Sequence, residues 1–223
     1  MLRLAAALIF AALMAAPSAT AQGAPAALTQ AIALTDAAKA AYAFDIELDS
    51  ERLQWRARFQ PEATPRVRLI APARADLTNE RRRAFDRFAE STEGVSWCAS
   101  AFMGRIADVR LVREDEASAH YTFQPTRESI RSAESRRYAQ HMRGEFTLNK
   151  SSNDITRMRI HAPAAFDAMP LVRIERFSMT IDCALAPNGR RYAAETVTDM
   201  SGSAFGQSFG DRTIQRAANL SAP

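Results

Sequence analysis

The stretch YAFDIELDSERLQWRARFQ, residues 42–60, decides the fold class of this 223-residue chain. Every second residue in it is apolar, and the polar link 50–52 separates two such runs. The apolar positions are Phe44, Ile46, Leu48, Leu53, Trp55, Ala57 and Phe59. Strict alternation gives each strand one buried and one solvated face, which favours an antiparallel sheet over a parallel sheet covered on both sides. We therefore predict a β-hairpin here.

The same period of two returns through most of the remaining chain. Further strand patterns lie at 67–69, 106–113, 118–124, 146–148, 158–160, 172–183 and 192–198. In the segment 172–183 the apolar positions change parity between Ile174 and Phe177, which predicts a bulge near Glu175. Pro187-Asn188-Gly189 predicts the turn of a hairpin leading into residues 192–198.

Two segments break the strand pattern and favour helices. Residues 28–41 are rich in alanine, which has the highest helix propensity. Residues 80–92 follow Asn79, a good N-cap, and precede Gly94, a residue typical of helix C-termini. The polar stretch 126–141 predicts a weak helix or a mobile crossing loop.

These elements predict an α+β fold in one domain, residues 22–223. We expect a strongly curved antiparallel sheet, a half-barrel, of about eight to ten strands with two or three helices packed on one side. Apolar residues make up 47% of the chain, which is enough for one core and argues against disorder.

Residues 1–21 have the pattern of a secretory signal peptide. Arg3 precedes an apolar run, and the run is followed by Ala19-Thr20-Ala21, a small-residue cleavage site. The run is shorter than the roughly 20 residues that span a bilayer, which disfavours an uncleaved anchor. We therefore predict cleavage after Ala21 and export to the periplasm, where Cys98 and Cys183 would form a structural disulfide.

The sequence does not predict an enzyme, a metal site or a cofactor. Residues 206–210, GQSFG, fit the G-x-S-x-G nucleophile motif in letters. That motif needs a helix after it and an acid and a histidine downstream, whereas His120, His141 and His161 all precede Ser208. The three histidines also lack the spacing of a metal site. A hydrolase is therefore the third and weakest alternative.

Arginines supply nearly all the positive charge, because only Lys39 and Lys150 among the 29 cations are lysines. Those on the polar side of the strand patterns are Arg56, Arg58, Arg66, Arg68, Arg110, Arg157, Arg159 and Arg173. They are either the solvated face of the sheet, paired across strands with acids, or a convex surface for a membrane or an acidic protein. The available acids are Asp45, Glu47, Glu145 and Glu175. Export excludes nucleic acid as a partner.

The apolar side of the strands carries large aromatic and flexible residues. These candidate ligand-binding residues are Phe44, Ile46, Trp55, Phe59, Leu69, Tyr121, Phe123, Phe146, Leu148, Met158, Phe177 and Met179. They form either a core packed by the helices or, if the sheet is incompletely filled, an apolar cavity suited to acyl chains.

Three stretches resemble the LolA/LolB-like superfamily of exported lipoprotein carriers: residues 41–45, AYAFD, residues 144–149, GEFTLN, and residues 153–160, NDITRMRI. The resemblance covers roughly residues 28–200, and the segments 78–101 and 126–141 depart from it. It implies a half-barrel lidded by helices that holds a lipid-like or lipoprotein acyl ligand without catalysis. The alternative is an envelope scaffold that binds a protein through its arginine-rich face.

Overall fold

The computed structural model describes residues 25–222, so the predicted signal peptide lies outside the described residues. Two α-helices are present in this range, α1 (Ala26–Ala37) and α2 (Asn79–Ser91), with 3-10 helices at Arg74–Asp76, Ala101–Arg105 and Ser135–His141. The strands are β1 (Ala43–Asp49), β2 (Gln54–Phe59), β3 (Val67–Ala71), β4 (Ala107–Glu114), β5 (Ser118–Gln124), β6 (Arg143–Asn149), β7 (Asp154–His161), β8 (Phe166–Met169), β9 (Val172–Leu185), β10 (Arg191–Ala204) and β11 (Gln207–Ser221). None of the described helices is long and apolar enough to cross a membrane.

All eleven strands form one antiparallel sheet, which confirms the α+β class. The order is β3-β2-β1-β11-β10-β9-β7-β6-β5-β4, and β8 pairs with β9. The described sheet is not strongly curled, so the prediction of a strongly curved half-barrel was wrong. A physical reason is that each end of the sheet has its own helical cover, and no single concave face has to wrap around one core.

The first covered region, called the α2 end, consists of α2 on β1, β2 and β3. Phe85 and Phe88 of α2 pack on Trp55, with ring centroids 5.6 and 5.5 Å away. The Thr78 hydroxyl, rather than Asn79, caps the helix by accepting a hydrogen bond from the Arg81 amide at 3.3 Å. The helix forms close to its predicted position because its aromatic face and its cap are local features.

The second covered region, called the α1 end, consists of α1 and the 3-10 helix Ala101–Arg105 on strands β4 to β7 and β9. The predicted helix 28–41 ends early, at Ala37, because Ala38 caps it and the chain then turns toward β1. Leu28 and Ala31 of α1 are fully buried, in contact with a cluster that includes Met103 and Ile155.

Two long-range links hold the α1 end. Cys98 and Cys183 form the predicted disulfide, which joins β9 to the segment before the 3-10 helix. Arg190, in the turn after β9, pairs with buried Asp154 at 3.1 Å and donates to the Thr35 hydroxyl of α1 at 3.2 Å. Burial raises the pKa of Asp154 and outweighs the lowering influence of Arg190.

The long hairpin β9–β10 forms as the sequence predicts. Its turn contains residues 187–189, and Ser201 faces Arg176 while the next residue, Gly202, faces Ile174, which leaves Glu175 unpaired as the predicted bulge. The stretch 126–141 folds into a 3-10 helix over its last seven residues. The side-chain amide of Gln124 fixes it by donating to the carbonyl oxygens of Ala139 and Met142.

Candidate ligand pocket

The twelve candidate ligand-binding residues do not share one cavity. Five of them lie beneath α2: Phe44, Ile46, Trp55, Phe59 and Leu69. Five others lie beneath the cover of the α1 end: Tyr121, Phe123, Phe146, Leu148 and Met158. Most of these ten side chains are buried, so they form two packed cores.

The remaining two candidates, Phe177 and Met179, lie on β9 outside these two cores. Both are half-buried. Phe177 packs on a small third cluster that contains Phe166 and Ile174, and Met179 pairs with Thr198 of β10.

A cavity of about 320 Å³ lies at the boundary between the α1 end and the α2 end. Four parts of the chain line it: the link 39–42 from α1 to β1, the end of β2 with the turn to β3, the segment 93–102, and Arg131 of the stretch 126–141. Its aromatic lining consists of Tyr42, Phe59, Trp97 and Phe102, and its charged lining consists of Lys39, Arg66, Arg131 and Glu93. The pocket thus combines ring faces with an excess of positive charge.

The segment 93–102 is positioned from below by β10. The Cys98 amide donates to the Arg191 carbonyl oxygen at 3.0 Å, and the Ala193 amide donates to the Ser96 carbonyl oxygen at 2.8 Å. The Cys98 disulfide adds a covalent link directly beside Trp97. This wall is therefore held by backbone pairing and by a cross-link, which presets the orientation of the Trp97 ring.

The aromatic side chains of the pocket are ordered by one another and by arginine. The Tyr42 and Trp97 rings meet edge to face, with centroids 6.2 Å apart. Arg131 lies over the Phe102 ring, with its Cζ 5.2 Å from the centroid, in a cation–π arrangement. Because the guanidinium stacks on a ring, its N–H groups remain available to an anion at the mouth.

The cations of the pocket differ in their pairing. Lys39 forms an ion pair with Asp36 of α1. Within the described residues, no carboxylate lies within 4.0 Å of the side-chain nitrogens of Arg66 or Arg131. These two arginines are the lining groups best suited to an anionic headgroup.

The face of the sheet opposite the helices, called the open face, carries seven of the eight predicted arginines. Arg66 is the exception, because it precedes β3 and lines the pocket. On the open face, residues that pair across neighbouring strands form rows that cross the sheet. One such row consists of Arg56, Glu47, Arg216, Glu195, Asp182 and Arg157. Most charges in this row are opposite in sign to their neighbours, as expected for a solvated sheet face.

Several of these arginines have acidic partners. Arg58 pairs with Asp45 at 2.8 Å and Arg159 pairs with Glu145 at 4.0 Å, so two of the four predicted acids pair with predicted arginines. Glu47 also forms an ion pair, with Arg216 at 3.8 Å. Glu175 of the bulge has no ion pair among the described residues. Hydrogen bonds from Asn219 and Arg58 hold the pKa of Asp45 below its usual range.

A second cavity, about 570 Å³, lies on the open face over β4 to β7. Arg113, Arg157, Arg159 and Glu145 line it together with hydroxyl groups of threonines, and His120 contacts the Thr147 hydroxyl at 3.0 Å. Val112 and three predicted ligand-binding residues, Tyr121, Phe146 and Met158, also line it, so its lining mixes charged and apolar side chains. Its three arginines suit an acidic surface.

The motif GQSFG lies in a strand–turn–strand setting. Gly206 is in the β10–β11 turn and Ser208 is an exposed residue of β11 that faces Ser203. The expected hydrolase context, a helix after the serine, is replaced by a strand. Residues 25–222 contain no cluster of three His, Cys, Asp or Glu side chains that could hold a metal ion.

Comparisons with protein-family models, curated proteins and solved structures found no match to this chain. The LolA/LolB-like resemblance thus stays a prediction.

Of the pocket residues, sequence reasoning singled out Phe59 and Arg66 and missed Tyr42, Trp97, Phe102 and Arg131. The position of Trp97 beside Cys98 was the one local signal, since a residue next to a disulfide is held in place. The others meet only because segments distant in the sequence converge.

Proposed function

We propose that this protein is a non-enzymatic binding protein of the periplasm that holds a lipid-like ligand with an apolar chain and an anionic headgroup. The observation that carries the proposal is the pocket in which Trp97, Phe102 and Tyr42 lie beside Arg66 and Arg131. Ring faces favour an apolar chain, and unpaired guanidinium groups favour a carboxylate or phosphate. The disulfide supports an oxidising compartment.

The size of the pocket limits the ligand. Binding cavities for small molecules span about 300–1,000 Å³, and this one, at about 320 Å³, is near the lower limit. We therefore expect one acyl chain, free or attached to a lipid or to an acylated protein, to enter rather than a whole phospholipid.

The test is titration of the oxidised chain with a fluorescent fatty-acyl probe, together with native mass spectrometry of the gently purified protein. An Arg131→Met, Arg66→Met double variant should bind the probe at least about tenfold more weakly, as expected for two lost charge-assisted contacts. Arg68→Met, an exposed arginine of β3, is the matched control and should bind normally. Absence of probe binding to the wild type would refute the proposal.

A second candidate function is docking of an acidic envelope protein on the open face. The supporting observation is the cavity lined by Arg113, Arg157 and Arg159. A partner captured by the wild type but not by Arg113→Glu, and released by salt, would favour this function. Capture that is unaffected by that substitution would contradict it.

A further inference from the structure

The two most exposed large apolar side chains of the described residues lie side by side at one end of the sheet. Leu171 is 72% exposed and Phe205 is 76% exposed. Leu171 belongs to the β8–β9 turn and Phe205 to the β10–β11 turn, and the Phe205 amide donates to the Leu171 carbonyl oxygen at 2.9 Å. Met169, which is also exposed, adjoins them. We call these three residues the apolar tip.

Both turns hold a bulky residue where the backbone favours a smaller one. Leu171 has φ 63° and Phe205 has φ 51°, in the left-handed region that glycine and asparagine adopt most readily. Phe205-Gly206 occupies a two-residue hairpin turn in which Asn-Gly is the preferred sequence. Folding alone gives no reason for a bulky side chain at either position, so the exposed Leu171 and Phe205 are candidates for contact with something outside the chain.

From these turns we propose that the apolar tip inserts into the interfacial region of a lipid bilayer. Three side chains expose on the order of 300–500 Å² in total, given that a large aromatic carries about 150–250 Å². A stable protein–protein interface needs about 800 Å² from each partner, so the tip is too small for a dimer or a folded partner. Insertion of a few apolar side chains into lipid is reversible and needs no complementary surface.

The surroundings of the tip suit a membrane. Within the segments 166–173 and 203–209 the one acidic residue is Asp167, and Arg173 pairs with it at 3.0 Å. No unpaired carboxylate of these segments would have to leave water. The chain also carries a net positive charge, which favours an anionic bilayer.

The experiment is flotation of the oxidised chain with vesicles of phosphatidylethanolamine and phosphatidylglycerol. A Leu171→Asn, Phe205→Asn double variant removes the apolar groups while matching the left-handed backbone, so it should melt at the same temperature as the wild type or higher. Its vesicle partitioning should fall at least about tenfold. Leu185→Asn is the matched control, because Leu185 is also a largely exposed leucine, at 60%, but lies at the far end of the 14-residue strand β9.

Vesicle binding by the wild type and by Leu185→Asn, with loss in the double variant, would support insertion. The proposal is overturned if the wild type does not float with vesicles or if the double variant floats equally well. It is also overturned if the double substitution abolishes self-association of the wild type and leaves vesicle partitioning unchanged, because the tip would then join two copies of this chain.

Discussion

The two covered ends of the sheet are stabilised in different ways. At the α2 end, helix and strands are neighbours in the sequence, and packing of Phe85 and Phe88 on Trp55 joins them. At the α1 end, the helix lies far in sequence from what it covers: Thr35 and its partner Arg190 are 155 residues apart. That end carries the disulfide and the buried ion pair of Arg190 with Asp154.

The difference shows how sequence separation sets the kind of interaction that is needed. A helix joined to its strands by a short connection has little loop entropy to overcome, and apolar packing suffices. A helix that docks across most of the chain gains from a covalent constraint and from a directional polar anchor that fixes its position.

Removal of the disulfide should have the largest effect. The bridge closes a separation of 85 residues, so the Cys98→Ser, Cys183→Ser double variant should lose about 4–5 kcal/mol of unfolding free energy in the chain-entropy model. Urea unfolding of this variant and of the reduced wild type measures the loss. A loss well under about 1 kcal/mol would show that the α1 end does not depend on the bridge.

Arg190→Met should cost about 3–5 kcal/mol, because Asp154 would remain buried without its partner. The double variant Arg190→Met, Asp154→Asn should recover part of this loss. Arg212→Met, which breaks an exposed ion pair with Asp199, is the control and should cost little. Equal destabilisation by Arg190→Met and by Arg212→Met would contradict a special role for the buried pair.

The Arg190→Met variant should also show a characteristic pH dependence. Burial already raises the pKa of Asp154, and loss of Arg190 removes a lowering influence. A raised pKa in the folded state means that the protonated form stabilises the fold. The variant should therefore recover relative to the wild type in acid and lose stability as the pH rises through the folded-state pKa of Asp154. Measuring the unfolding free energy of both proteins across the acidic pH range tests this. The same pH dependence in the variant and in the wild type would contradict it.

Phe85→Ala should destabilise the α2 end by about 3–4 kcal/mol through loss of a large buried side chain. We expect faster amide exchange in β1 to β3, while the strands bound to α1 stay protected. Ser91→Ala, at the exposed end of the same helix, is the control. Uniform acceleration of exchange over the whole sheet would show that the two ends unfold as one unit.

The smallest expected effect is that of the disulfide of the α1 end on ligand binding in the pocket. Reduction of the Cys98 disulfide frees one wall beside Trp97, and acyl-probe affinity should fall by a few-fold, about 1 kcal/mol. Probe titration with and without reductant measures this change, in buffer without denaturant and at a pH at which both the oxidised and the reduced form stay folded. Unchanged affinity would show that backbone pairing to β10 alone holds the wall.

Sequence patterns predicted local features well. Alternation in residues 42–60 predicted β1 and β2, the parity change predicted the bulge at Glu175, and the cysteine count predicted the disulfide. The strand β11 was missed because residues 207–221 lack strict alternation. Its side chains are half-exposed on both faces, so burial imposed no pattern on them.

The sequence by itself determined an antiparallel sheet with one apolar face, because alternation is a property of neighbouring residues. Only the tertiary structure decided that β11 returns to lie between β1 and β10, that two helices divide the apolar face into separate cores, and that Arg66 and Arg131 meet Trp97 at one pocket. These outcomes depend on which distant segments bury the most surface together, and that balance is not written in any single stretch of the chain.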